Sequence, residues 1–168
     1  NNMEFPGTNK YTCPSNDIQF LQNLSSFTLV GIEWVDQNGV ATPCSLPEVM
    51  ATSMPNLNRL VFLTMTYSGL RIPIQFWQVD KWKTLSWNNV SQDAYQGYGP
   101  GILDTILENQ THLEQIGLHN SGLDRAPLTP AICNNHNMFS ISLRGCNLEG
   151  TLPECIWDMN INHNFRFD

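Results

Sequence analysis

One spacing recurs along this chain and limits what it can fold into. The clearest copy is Met138, Ile141, Leu143, Cys146 and Leu148, followed by Gly150, Leu152 and Pro153. Leu113, Ile116, Leu118, Ser121 and Leu123, followed by Pro127, repeat the spacing, and Leu60, Leu63, Met65, Ser68 and Leu70, followed by Pro73, fit it too. Weaker copies start at Leu24 (Phe27, Leu29, Ile32), at Trp82 (Leu85, Trp87, Val90) and at Asn162 (Phe165, Phe167). A unit of this size cannot bury its apolar face alone, so successive copies must stack to form a shared core.

The six starts, 24, 60, 82, 113, 138 and 162, lie 36, 22, 31, 25 and 24 residues apart. The two long intervals contain turn-rich sequence, Asp36–Pro43 and Gln92–Gly101, and predict insertions near 35–45 and 91–101. One register choice stands out. Leu57, Leu60 and Phe62 offer a frame that competes with Leu60, Leu63 and Met65 and places the opposite strand face inward. The frame starting at Leu60 is adopted because it puts Ser68 rather than Met65 at the polar position after the strand. Between strands, Pro73, Phe76, Val79 and Trp82 step by three, as do Pro153, Ile156 and Met159, which suits 3₁₀ or irregular turns. Ile102, Leu103, Ile106 and Leu107 have helical spacing.

The pattern L-x-x-L-x-L-x-x-N/C-x-L with a late G-x-L-P resembles the plant-type leucine-rich repeat, over residues 18–168, with the 138–153 unit matching in full. The resemblance implies an α/β fold: a right-handed solenoid with a concave parallel β-sheet and a convex side of irregular, 3₁₀ or short-helix segments. On this reading residues 1–23 form an N-terminal cap region, and 24–168 hold about five full repeats and a truncated one. Strands are expected at 27–29, 63–65, 85–87, 116–118, 141–143 and 165–167.

Composition narrows the function. Hydrophobic residues at 41% against 14% charged supply a core and exclude a disordered chain. Eight scattered Lys and Arg at net charge −7 argue against nucleic acid and against an anionic membrane surface. No apolar run reaches the roughly 20 residues of a membrane span. The first residues are not a signal peptide, so a secretory signal would be removed or lie outside the chain; the repeat cut at Asp168 reads as a fragment or a stacking end. Three N-x-S/T sequons, at Asn23, Asn89 and Asn109, together with several cysteines, favour a secreted or cell-surface location.

Five cysteines occur without a C-x-x-C pair. Cys13 and Cys44 flank the first repeat and are read as a bond closing the cap. Cys133 and Cys155 hold near-equivalent convex positions that stacking would bring together, and Cys146 reads as a buried thiol. The alternative is five reduced core cysteines in an intracellular protein. Among outward strand positions, Thr64, Tyr67, Ser86, Asn88, His119 and Arg144 form the candidate ligand surface, small and hydrogen-bonding; a plain solvated face is the competing reading. Trp82 and Trp87 are expected to fill the core. The four histidines are dispersed, no metal or cofactor is implied, and no nucleophile elbow, zinc motif or phosphate loop is present, so no catalytic residue is proposed. The expected role is an extracellular recognition module for a protein, peptide or glycan. The alternative is a structural glycoprotein subunit that self-associates in an extracellular or surface assembly.

Overall fold

The computed structural model describes residues 2–5, 10–31, 33–63, 70–88, 101–120, 123, 127–159 and 164–167. The strands in chain order are β1 (Asn2–Phe5), β2 (Lys10–Tyr11), β3 (Ser26–Val30), β4 (Glu33–Trp34), β5 (Cys44–Ser45), β6 (Arg59–Leu63), β7 (Leu70–Arg71), β8 (Thr84–Asn88), β9 (Gln115–His119), β10 (Ser140–Leu143) and β11 (Asn164–Phe167). Among the described residues, β1, β3, β6, β8, β9, β10 and β11 form one parallel sheet in chain order. Parallel neighbours cannot be joined by a tight turn, so each connection must return the chain across one face.

Alternation within the strands decides which face that is. Phe27, Leu60, Leu85, Ile116 and Ile141 share one cross-strand row, and all are at most 2% exposed. Leu29, Trp87, Leu118 and Leu143, two residues further on, are equally buried. Leu24, Leu57, Trp82, Leu113 and Met138, three residues before the first row, are 0–5% exposed and complete each unit's apolar wedge.

The register at the second unit differs from the sequence expectation. Leu60 pairs with Phe27 and Leu85, and Phe62 pairs with Leu29 and Trp87. The strand is therefore 59–63 rather than 63–65, and the unit starts at Leu57. Strand side chains alternate, so this three-residue shift exchanges the two faces. The polar-ladder argument that favoured Ser68 failed because fully buried Leu57 outweighs it: an apolar side chain of that size contributes about 1.5–3 kcal/mol on burial. The first two intervals become 33 and 25. Residues 1–23, expected as a cap, supply β1, which pairs with β3 and adds a seventh strand.

The connectors form the second layer. They comprise a 3₁₀ turn at Asn16–Phe20, helices α1 (Val49–Thr52), α2 (Gln75–Gln78) and α3 (Ile102–Asn109), and 3₁₀ turns at Pro130–Asn134 and Glu154–Asp158. Each packs against the next in chain order. The eight-residue α3 buries Ile102, Leu103, Ile106 and Leu107, the side its spacing predicted. The Pro130 turn starts on a fixed φ, with Thr129 accepting the Ala131 N–H and donating to Asp104 of α3.

Between the layers lies one continuous core. Trp77, Trp82 and Trp87 are fully buried in it. Phe76 stacks on Trp82 with ring centroids 5.6 Å apart, and Trp77 meets Trp87 edge-on at 5.4 Å. Trp34, which the repeat pattern did not place, is 2% exposed in the same core. Residues 35–45 form an ordered turn: Val35 bridges Ala41, and the Asp36 carboxylate accepts the Asn38 and Val40 N–H groups at 2.8 and 3.0 Å. Those two bonds, Val40 foremost, hold the exposed Asp36 carboxyl below the usual carboxylate range. Of the second insertion, 91–101, all but Gly101 lies outside the described residues.

Candidate functional site

The sheet face turned away from the core is the surface on which side chains converge. Its central row is Thr28, Val61, Ser86, Gly117, Ser142 and Arg166, aligned by strand register. Val61 takes the place expected for Thr64, as the shifted register requires. Thr64 and Tyr67 lie outside the described residues. The neighbouring row carries Val30, Leu63, Asn88 and His119, and Arg144 directly follows β10. Ser86, Asn88, His119 and Arg144, four of the six candidate residues, thus share this face, on adjacent strands about 4.8 Å apart.

Two hollows lie on it. One, of about 370 Å³, is lined by Asn88, His119, Asn120, Arg144 and Gly145. The other, of about 330 Å³, shares His119 and runs over Ser86, Gly117 and Ser142 to Arg59 and Arg166. Small residues make this floor. A Cβ on Gly117 would sit 3.5 Å from the Ser86 hydroxyl, so the absent side chain keeps the groove open. The His119 Nε2 and Ser142 Oγ are 2.7 Å apart, which fixes the imidazole over the sheet.

The turn leaving each strand shapes the rim. Gly31, Asn120 and Gly145 occupy equivalent positions and all have positive φ, between 48 and 60°. The Asn120 N–H donates to the Arg144 carbonyl at 2.9 Å. A Cβ on Gly145 would lie 2.0 Å from the Asn120 Oδ1, so only glycine combines this backbone with that neighbour.

The sequence reading missed a second set of polar groups, on the connectors. Gln110 is fully buried; its Nε2 donates to the Trp77 carbonyl at 3.0 Å, and its Oε1 accepts the Trp82 N–H at 3.3 Å and the Lys81 N–H at 3.4 Å. Asn135, also fully buried and three residues before its unit's first apolar residue as Gln110 is, donates to the Leu107 carbonyl at 3.1 Å. These amides serve unit-to-unit backbone satisfaction, the role expected after the strands. An amide three residues before the wedge residue in two units, Gln110 before Leu113 and Asn135 before Met138, was the available signal; Leu21, Met54 and Val79 hold that position in the others. Lys81 is half-buried, donates to the Met50 and Met54 carbonyls at 2.7 and 2.9 Å, and lies 4.7 Å over the Trp82 ring. Burial pushes its ammonium down to about 8.

The cysteines pair as the sequence suggested. Cys13 bonds Cys44 and Cys133 bonds Cys155, with Cα separations of 5.3 and 6.1 Å. Buried Cys146 keeps its thiol, which donates to the Leu118 carbonyl at 2.8 Å. Two disulfides are compatible with an extracellular protein. Of the sequons, Asn23 is exposed in a turn, and Asn109 is exposed at the end of α3 with its amide donating to the Thr105 carbonyl at 2.8 Å. Asn89 lies outside the described residues. Asp80, Thr111 and His112 cluster on the connector flank, with His112 Nδ1 3.0 Å from the Asp80 carboxylate, away from the open face.

Among the described residues no group of His, Cys, Asp and Glu could hold a metal ion, and no helix is long and apolar enough to cross a membrane. Among the described residues, Trp157 and Phe20, 72% and 75% exposed, are the largest apolar groups left in solvent. No protein-family model, no curated protein and no solved structure matches this chain.

Proposed function

We propose that this chain is a leucine-rich-repeat solenoid of the secretory pathway that recognises a protein, peptide or glycan partner across its open, concave sheet face, and that it is not an enzyme. The recurring apolar wedge, the parallel strands in chain order and the two disulfides support this reading. The observation that carries the binding role is the pair of joined hollows over Ser86, Gly117 and Ser142, rimmed by Asn88, His119 and Arg144. Fixed donors and acceptors around a small-residue floor suit contact with another chain's polar groups. Glycans at Asn23 and Asn109 would stand on turns and connectors away from this face, whereas one at Asn89, next in sequence to the rim residue Asn88, would obstruct a ligand at that edge.

The test is a peptide and glycan array probed with the glycosylated, disulfide-intact protein and with Ser86→Arg, which fills the groove floor. Selective binding by the parent that Ser86→Arg abolishes is the expected result. Binding unaffected by Ser86→Arg and by His119→Ala would move the ligand off this face. The exposed Trp157 and Phe20 favour a second reading, a subunit of an extracellular assembly. Light scattering across a wide concentration range decides that one: a monomer throughout counts against it.

A further inference from the structure

Charge is distributed unevenly over this chain. Its net charge is −7. Yet within the large sheet β3, β6, β8, β9, β10 and β11 contain no Asp or Glu, and Glu4 on the edge strand β1, in register with Thr28, is the exception among its described strands. The same face carries Arg59 on β6, Arg166 on β11 and Arg144 immediately after β10, all exposed, with His119 between them. Arg59 and Arg166 line one hollow and Arg144 the other, joined through His119. Neither Arg59 nor Arg166 enters an ion pair among the described residues. Of the acidic residues described, Asp17, Glu48, Asp80, Asp104, Glu108, Glu154 and Asp158 sit on or beside the connectors. A cleft lined by one sign of charge focuses its field toward the opposite sign even on an oppositely charged protein.

We propose that the open face binds an acidic peptide segment in extended conformation, running across the strands from β6 to β11, its carboxylates held by Arg59, Arg144 and Arg166. This rests on the open face being the recognition surface. Guanidinium forks match carboxylates in geometry and charge. Ser86, Asn88, Gln115 and Ser142 between them supply donors and acceptors for peptide groups, and side-chain-free Gly117 lets a backbone approach. Four strand spacings of about 4.8 Å separate β6 from β11, roughly 19 Å, the length of about six extended residues at 3.3 Å each. A nucleic acid is disfavoured, because three arginines cannot offset the repulsion of a long polyphosphate by the acidic connectors. A glycan is disfavoured because the described part of the face offers no exposed aromatic ring for a sugar to stack on.

A randomised octapeptide library panned on the intact, non-reduced protein tests this. The retained pool should be enriched in Asp and Glu. The individual peptides recovered should bind at least about tenfold more weakly at 0.5 M than at 0.05 M salt, as charges at an accessible groove require. Arg59→Gln with Arg166→Gln should remove the enrichment, while Arg71→Gln, exposed on β7 outside this sheet, should leave it intact. A retained pool without acidic enrichment, or one unchanged by the double substitution, overturns the proposal. The two failures are separable: a neutral pool still lost on Ser86→Arg leaves the recognition face standing, whereas a pool indifferent to Ser86→Arg removes both. Competition by a sulfated oligosaccharide but by none of the acidic peptides would also overturn it.

Discussion

Gln110→Leu should be among the costliest single polar substitutions in this protein. The two side chains are close in volume, so little cavity forms. What is lost is the amide that joins the third and fourth units. The Trp77 carbonyl loses the Nε2 donor at 3.0 Å, and the buried Trp82 N–H loses the Oε1 acceptor at 3.3 Å. The Lys81 N–H also bonds the Val79 carbonyl, so it stays satisfied. Orphaning a buried donor or acceptor costs about 1–3 kcal/mol. For two groups, less the apolar gain from leucine, the expected loss is roughly 2–4 kcal/mol. In a domain of this size that lowers Tm by about 4–16 °C. Urea denaturation followed by tryptophan fluorescence, without reductant, measures it. Gln78→Leu, on the exposed side of α2, is the control and should change stability by less than about 0.5 kcal/mol. Gln110→Glu adds a sign test. It keeps the acceptor but sets a buried carboxylate against the Trp77 carbonyl, so its folded pKa is raised, and stability should recover as pH falls and the carboxyl becomes a donor. Equal stabilities for Gln110→Leu and Gln78→Leu would refute the reasoning.

Leu118→Ala should cost about 2–5 kcal/mol in circular-dichroism melts, because its side chain is fully buried in the core. Mass spectrometry after alkylation in denaturant without reductant should find one modified cysteine, Cys146, and five after reduction; reducing the two bonds should cost about 3–4 kcal/mol each by loop-closure entropy over separations of 31 and 22 residues. Lys81 gives a pH dependence whose sign is fixed. Its folded pKa, about 8, lies below the ordinary lysine value of 10.5, so between those values the unfolded chain holds the extra proton and stability rises with pH. The parent's stability, measured relative to Lys81→Met, should climb across that window and be flat below it; a fall would contradict the burial argument.

The stacking of units was legible because it rests on local spacing. The alternation of Phe27 with Leu29, Leu85 with Trp87 and Ile116 with Leu118 is a strand pattern wherever it occurs, and its recurrence requires a shared core. The Cys133–Cys155 bond followed from the same logic, since equivalent positions in stacked units become neighbours, whereas Cys13–Cys44 was read from its place flanking the first unit. The second unit was not legible: Leu57, Leu60, Phe62, Leu63 and Met65 fit two frames equally well by apolarity. Only pairing with β3 and β8 selects one, because a strand must match the faces of both neighbours at once. That choice moved Arg59 onto the groove and Val61 into the central row of the face, and so changed the site's chemistry. The amide role of Gln110 was hidden for a similar reason: its partners, Trp77 and Trp82, are 33 and 28 residues away in sequence. The sequence by itself determined the recurring spacing, the inward residues of the units other than the second, and the cysteines that could meet. The tertiary structure decided the register, the buried amides and the clustering of arginines on one face, because these depend on which units touch and in what alignment.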